Sequence, residues 1–458
     1  MIAAVQPPQA TQTPYEQTLR KHLQTLLPDS PDWLQDLRLR AMSRFEVLGF
    51  PTRRLEAWKY INLRPLLNEA FLPHADVATV SLDDLRSHCL THGEEDAVRL
   101  VFVNGRYSAA LSAQPGLADG LVVVSLKEAF EAYPDLVQEH LSPQLTQEPD
   151  AFAALNTALF EDGAFVYLPD QVDMKPLVQI LFVTTPSFEP RAAAVRNLFV
   201  LGKQAKVNLV IQHLGLGDAP YFNNSVQEFA LAEGAQAECT VILNESSQGW
   251  HFAATRTQLQ SEARLSLNTV TLGGQTVRHS ISGLLKGEKA ELNLNGLDVL
   301  CDKTEIYHHT VTEHWVPDCV SNQYYKGILD DESKSEFNGM VFVAEGANGT
   351  DSRQLNKNLL LSENARVWTR PQLQINADDV KCAHGATVGQ LEKEQLFYLA
   401  SRGLNRELAQ GLLTYGFAEE IIQRISSPQV RRYLDAQVLD NLHRTDAAVK
   451  RQLGAEQK

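Results

Sequence analysis

The chain of 458 residues has five cysteines, Cys89, Cys239, Cys301, Cys319 and Cys382, and no Cys-x-x-Cys pair. That excludes a zinc ribbon and a self-contained ferredoxin-type cluster site, which need paired thiolates. Their odd number and wide dispersal argue against a disulfide framework. Basic residues are also short: 41 Lys and Arg stand against 56 Asp and Glu, a formal charge of −15. Nucleic acid is therefore not expected as a partner, because backbone binding needs clustered cations. No apolar run reaches the roughly 18 residues of a membrane helix, and mean hydropathy is −0.23, so no membrane contact is expected. Met1 to Thr18 carry no basic start followed by an apolar stretch; no secretory signal is expected, and a cytoplasmic location follows. The GxxxxGK[ST] phosphate loop, the GxSxG elbow, the HExxH zinc motif and the GxGxxG turn are all missing. The chain is expected to be non-catalytic and to hydrolyse no ATP by itself.

What is present falls into four stretches. Residues 1–95 read as an N-terminal helical domain, with Leu19, Leu23, Leu26, Leu34 and Leu37 at helical spacing and Ser81 opening a short helix near Asp83–His92. Residues 96–160 read as a mixed lead-in. Leu100–Val103 and Leu121–Val124 look like buried strands, and Lys127–Phe160 returns to a helical period. Residues 161–390 are strand-rich. Residues 391–458 read as a C-terminal helical domain, in which Asn405 can cap one helix and Ser426-Ser427-Pro428 can open the next.

The strand-rich stretch repeats a phrase: a polar turn, a small residue, then alternating apolar positions. The small residues are Ala205, Ala237, Ala263, Ala290, Ser335 and Ala365. A spacing of about 30 marks a solenoid, and the local period of two makes each unit a source of strands. Such units bury a face only by stacking. The expected fold is mainly β: a parallel β-helix core flanked by helices. The wider gap between Ala290 and Ser335 predicts an inserted loop or an extra half-turn. A β-sandwich is the alternative, and four Asn-Gly pairs, at 104, 295, 338 and 348, keep it open.

Three clusters could carry chemistry. Cys382 and His384 are two apart, which on a strand puts both on one face. A thiolate and an imidazole suit iron or zinc, but two donors leave a tetrahedral site incomplete, so a partner would supply the rest. The competing reading makes Cys382 a buried small hydrophobe and His384 a hydrogen-bonded corner residue. His308, His309 and His314 read as a solvated loop, since adjacent strand residues face apart. The acids Asp378-Asp379 and Asp330-Asp331-Glu332 admit a β-helix polysaccharide lyase or hydrolase, although Asp330–Ser333 reads as a polar turn. Trp58 and Tyr60 read as a surface anchor where a helix meets a strand.

Gly49-Phe50-Pro51-Thr52-Arg53-Arg54-Leu55-Glu56-Ala57-Trp58-Lys59-Tyr60 resembles the N-terminal signature of the SufD branch of the SufB/SufD family. Asp378 to Gly389, Glu394 to Leu399 and Ser401-Arg402-Gly403 are similar to that family's C-terminal signature. Tyr325 to Leu329 and Asn358 to Leu361 also fit. The resemblance spans essentially the whole chain. It implies a right-handed parallel β-helix flanked by helical domains, acting as a scaffold subunit in iron–sulfur cluster assembly. It implies a SufB-like partner bound through the β-helix and a SufC-like ABC ATPase on the C-terminal helices, with a homodimer when the chain is isolated. It gives His384 a role as an iron or cluster ligand at the subunit interface, with Cys382 as a further contributor. The cluster would be transient and shared, and the isolated chain would hold none.

Overall fold

The repeated phrase marks a corner. A computed structural model describes residues 14–69, 71–73, 80–90, 98–114, 116, 120–143 and 145–455. Gln204, Glu262, Lys289 and Asp318 take left-handed φ values of 56°, 58°, 61° and 60°, and Gly234 and Gly349 take 68° and 75°. Each is followed by a small, fully buried residue: Ala205, Ala263, Ala290, Cys319, Ala235 and Thr350. These six precede residues paired in register from coil to coil, so they stack as one ladder. The corner amide donates across coils as well, from Gln204 to the Glu233 carbonyl and from Glu262 to the Glu288 carbonyl, both at 2.9 Å. The hydrogen-bond ladder is thereby carried round the bend.

A side chain in the left-handed region costs about 1–2 kcal/mol. Glu262→Gly and Lys289→Gly are therefore expected to raise stability, each by up to about 1 kcal/mol after glycine's unfolded-state entropy. Gly234→Ala should lower it by a similar amount, read as shifts in urea midpoint at constant slope.

From Ala164–Leu168 onward, consecutive strands alternate between two ten-stranded sheets. The front sheet runs from Val122–Ser125 through Ala164–Leu168 to Arg366–Ile375. The back sheet runs from Val98–Val103 through Val178–Thr184 to Lys381–Gly389. Paired positions from Ala164–Leu168 onward lie one coil apart, from 26 residues (Trp250 to Thr276) to 33 (Phe165 to Leu198). The described residues are mainly β, in a parallel β-helix of about eight turns with N-terminal and C-terminal helices. The predicted fold is present.

Two details differ from the sequence reading. The wide gap after Ala290 holds no insertion. Ala290 opens a back-sheet strand and Ser335 lies in a front-sheet strand, so the phrase has changed sheets, and Cys319 fills the regular corner between them. The true corner residues are Ala235 and Ser333, two positions before Ala237 and Ser335. Of the Asn-Gly pairs, Asn104-Gly105 makes a tight hairpin, with φ of 53° and 82° between antiparallel strands. Asn295-Gly296 and Asn338-Gly339 sit mid-strand in parallel pairing. A Cβ on Gly296 would lie 2.1 Å from the Tyr325 ring, so this glycine is space for a tyrosine rather than a turn. The sandwich alternative falls with them.

Both outer faces are covered. Helices Asp32–Leu48 and Ala151–Leu159 lie over the front sheet, where Phe45, Trp58 and Phe152 pack with Phe222, Trp250 and Phe252. Helices Arg406–Ile422 and Pro428–Ala455 lie on the back sheet, with Ile421, Ile422, Leu434 and Val438 against Val210, Ile242, Val270 and Leu297. Two predicted caps are used: Ser81 forms a capping box, and Asn405 accepts from the Leu408 amide at 2.8 Å; helix Asp32–Leu48 starts after Pro31 with no side-chain cap, not from Asp29 or Ser30. The helix at Ser81 is shorter than expected, Leu82–Leu85 followed by a 3-10 turn at Arg86–His88; His92 lies outside the described residues. Among the described residues no helix is long and apolar enough to cross a membrane.

Candidate functional site

The last coil of the β-helix has no further coil stacked on it. Among the described residues Arg366–Ile375 and Lys381–Gly389 each pair along one edge only. Pro371 lies in the first of these, and an edge strand is where a missing N–H costs least. Most of Lys381–Gly389 is exposed, although equivalent strands deeper in the stack are buried.

Register fixes where its side chains point. Cys382 pairs with Ser352 and His384 with Gln354, and both partners are buried inside the helix. Parallel neighbours in register project to the same side, so Cys382 and His384 face the lumen at its open mouth. The shared face expected from their spacing is present. Cys382 is half-buried against Val341, Val343 and Ala347, while His384 is exposed. Burial pushes the Cys382 thiol above its ordinary pKa; the Ser352 backbone opposes this and Asp351 adds to it. At neutral pH it is a thiol, and a metal must displace its proton.

The coils beneath the mouth carry a buried polar file. Gln354 donates to Gln323 at 3.1 Å, and Gln323 accepts from Thr310 at 2.7 Å. Gln354 Oε1, one strand from His384, is buried without a partner. Deeper lie the His308–Asp298 pair at 3.0 Å and His279 with Thr255 at 2.8 Å. Burial, then the neighbouring His308, His251 and arginines, holds His279 well below its ordinary pKa, so it is neutral.

This overturns the solvated-loop reading of His308, His309 and His314. All three lie on strand Glu305–His314; His308 and His314 face the lumen and are buried, and His309 turns outward beneath the N-terminal layer. Trp58 is an anchor, but a buried one, with the Arg278 guanidinium 4.0 Å over its ring. Tyr60 stacks on Trp368 of the terminal front strand at 4.5 Å, and Glu56 pairs with Arg370 of the same strand. Asp330–Glu332 form the corner turn they were expected to form, with Asp331 at φ 51°.

Sequence reasoning missed one group. His213, Glu245 and His251 bring donor atoms within 4.8 Å of one another, all buried. Among the described residues this is the one gathering of three or more such donors, and neither Cys382 nor His384 belongs to it. The available signal was spacing: His251, His279 and His308 follow one another at the coil period.

The family described as SUF system FeS cluster assembly, SufBD core domain, matches residues 182–417, and the SufBD N-terminal region matches residues 9–180. A SufBD family iron–sulfur cluster assembly protein of Synechocystis is 31% identical over 93% of this chain and 96% of its own length. The iron–sulfur cluster assembly protein SufD of Escherichia coli is 33% identical over 85% of this chain and 89% of its own. That of Bacillus subtilis is 26% identical over 88% and 93%. Nothing among these relatives supports the polysaccharide-enzyme alternative. The chain belongs to the SufB/SufD family of iron–sulfur cluster assembly proteins.

Proposed function

We propose that this chain is a non-catalytic, cytoplasmic scaffold subunit whose open β-helix mouth receives a nascent iron–sulfur cluster jointly with a partner subunit. The observation that carries the reading is the mouth itself: two unpaired strand edges surrounding a lumen-facing Cys382 and His384. Unpaired edges attract further strands, so a SufB-like subunit with the same architecture can continue both sheets. In its absence, a second copy of this chain can do so. The unpartnered Gln354 Oε1 supports a mouth completed from outside. The cluster is cargo here. His384 and Cys382 supply one nitrogen and one sulfur donor, and the partner supplies the others.

ATP hydrolysis belongs to a SufC-like partner. Its docking surface is the C-terminal helical region, where Phe397, Tyr398, Leu408 and Leu412 are exposed. Movement there reaches the β-helix through Lys326. Its ammonium is buried, donates to the Phe417 carbonyl and pairs with Glu420, both at 2.8 Å.

His384→Ala in the reconstituted complex is expected to lower cluster transfer to an apo-ferredoxin by about tenfold or more, with subunit stoichiometry unchanged. Unchanged transfer would remove His384 from the mechanism. Cys382→Ser separates a sulfur ligand, which it would abolish, from a packing residue, whose loss would leave transfer intact.

A further inference from the structure

We propose that His213, Glu245 and His251 form a binding site for one divalent first-row transition ion inside the β-helix, separate from the mouth. His213 comes from back-sheet strand Lys206–Gly215 and His251 from front-sheet strand Gly249–Leu259; Glu245 lies in the corner between the sheets. Their rings stand perpendicular, at 88°, with centroids 4.4 Å apart. Two imidazoles and a carboxylate suit iron(II) and zinc(II), and they leave an open position for water.

Three observations beyond the donor cluster point to a ligand. First, His213 Nε2 is buried and unpartnered, although the side chain is only 2% exposed. Second, the carboxylate is already oriented. The Tyr221 hydroxyl donates to Glu245 Oε2 at 2.6 Å and Asn223 donates to Oε1 at 3.2 Å, on the side where His251 Nδ1 lies at 2.5 Å. Third, His251 Nε2 lies 2.8 Å from the Ser225 hydroxyl. A hydroxyl both donates and accepts. It can donate to Nε2 while Nδ1–H faces Glu245, and accept from Nε2–H once Nδ1 turns its lone pair to an ion. With Nδ1 turned to an ion, the imidazole proton sits on Nε2, where the Ser225 hydroxyl can accept it.

The geometry needs modest adjustment. Donors about 2.1 Å from a tetrahedral ion stand about 3.4 Å apart, so His251 Nδ1 and Glu245 Oε1, now at 2.5 Å, must part to admit the ion, and any wider gap, at most 4.8 Å, must close. The exposed turn at Ser247 and Gln248, next to Glu245 in the chain, gives the ion a short way in.

The test uses the full chain carrying Cys382→Ser and His384→Ala, which removes the mouth donors. Zinc should bind at one equivalent after gel filtration and raise the melting temperature, as a ligand of the folded state must. X-ray absorption of the zinc-loaded protein should show nitrogen and oxygen donors and no sulfur. His213→Gln or Glu245→Gln should lower zinc affinity at least tenfold and abolish the melting shift. Absence of stoichiometric zinc, a sulfur shell, or undiminished binding by both variants would overturn the site. The absorption spectrum needs neither the His213 nor the Glu245 variant, so the proposal stays testable if either of those substitutions prevents folding.

Discussion

Arg278→Ala is expected to cost about 3–5 kcal/mol of folding stability, because it leaves a buried carboxylate without its main partner. Arg278 is a front-sheet residue, and its Nη1 lies 2.6 Å from Asp150 Oδ2, both side chains being almost wholly enclosed. Burial raises the Asp150 pKa; the Arg278 and Arg256 guanidiniums outweigh it and hold the carboxyl below its ordinary value. Asp150 in turn caps helix Ala151–Leu159, accepting from the Phe152 amide at 2.9 Å. The same guanidinium covers Trp58, so one truncation removes an ion pair, weakens a cap and uncovers an indole. Its site is the seam between the N-terminal layer and the β-helix. Chemical denaturation should therefore show a lower midpoint, and hydrogen exchange should rise first in residues 151–159. Arg278→Met with Asp150→Asn should recover part of the loss, since a buried charge no longer stands alone. A midpoint within about 0.5 kcal/mol of the parent for Arg278→Ala would mean that the seam is held by the aromatic cluster alone.

Why the β-helix was legible and the lumen was not follows from the range of the forces. The corner chemistry is local: a turn residue, a small residue, then alternation, all inside six positions. It recurs because every coil must make the same bend, so the solenoid could be read from Ala205, Ala263 and Ala290. The same period of two blurred the detail. In Gly234-Ala235-Gln236-Ala237 two alanines lie on one face, and only coil-to-coil register identifies Ala235 as the corner. The spacing of Cys382 and His384 was likewise a local fact, sufficient to place both toward one side. Their exposure was not local; it arises because no coil follows. The buried histidines were hidden for a similar reason. Tyr307-His308-His309-Thr310-Val311-Thr312-Glu313-His314 looks solvated in isolation. His308 Nε2, the Thr310 hydroxyl and His314 Nε2 find partners in Asp298, Gln323 and Ser321 from the opposite sheet, while His308 Nδ1 and His314 Nδ1 are buried without one. A sequence window sees the polarity and not the partners that make burial tolerable.

Two of those histidines, His309 and His314, together with His22 make the fold acid-sensitive, and the loss of stability should begin well above the usual carboxylate range. Burial pushes His314 down to about 4. His309 falls to about 4 through burial and Arg278, with Asp150 opposing. His22 falls to about 4 through burial, Arg38 and Arg106. An unfolded histidine titrates near 6.5. As pH falls below that value the unfolded chain takes up protons that the folded chain refuses, so stability falls with pH and the loss is complete only below about 4. A depression of this size corresponds to about 3 kcal/mol for each histidine. Two carboxylates act the other way. Burial lifts Glu336 to about 7 and Asp162 to about 6, so their unfavourable ionisation is relieved on acidification. Glu336 begins to be relieved near neutrality, before the histidines engage. The expected profile of urea midpoint against pH is therefore level or slightly rising from 8 to 6.5, then steeply falling to 4.5. His314→Gln removes one of the refused protons while keeping a polar group beside Ser321. It should flatten the acid limb by up to about 1.4 kcal/mol per pH unit. A level profile down to pH 4.5 would show that these imidazoles gain solvent before the fold opens. An unchanged slope in His314→Gln would assign the acid limb to other groups.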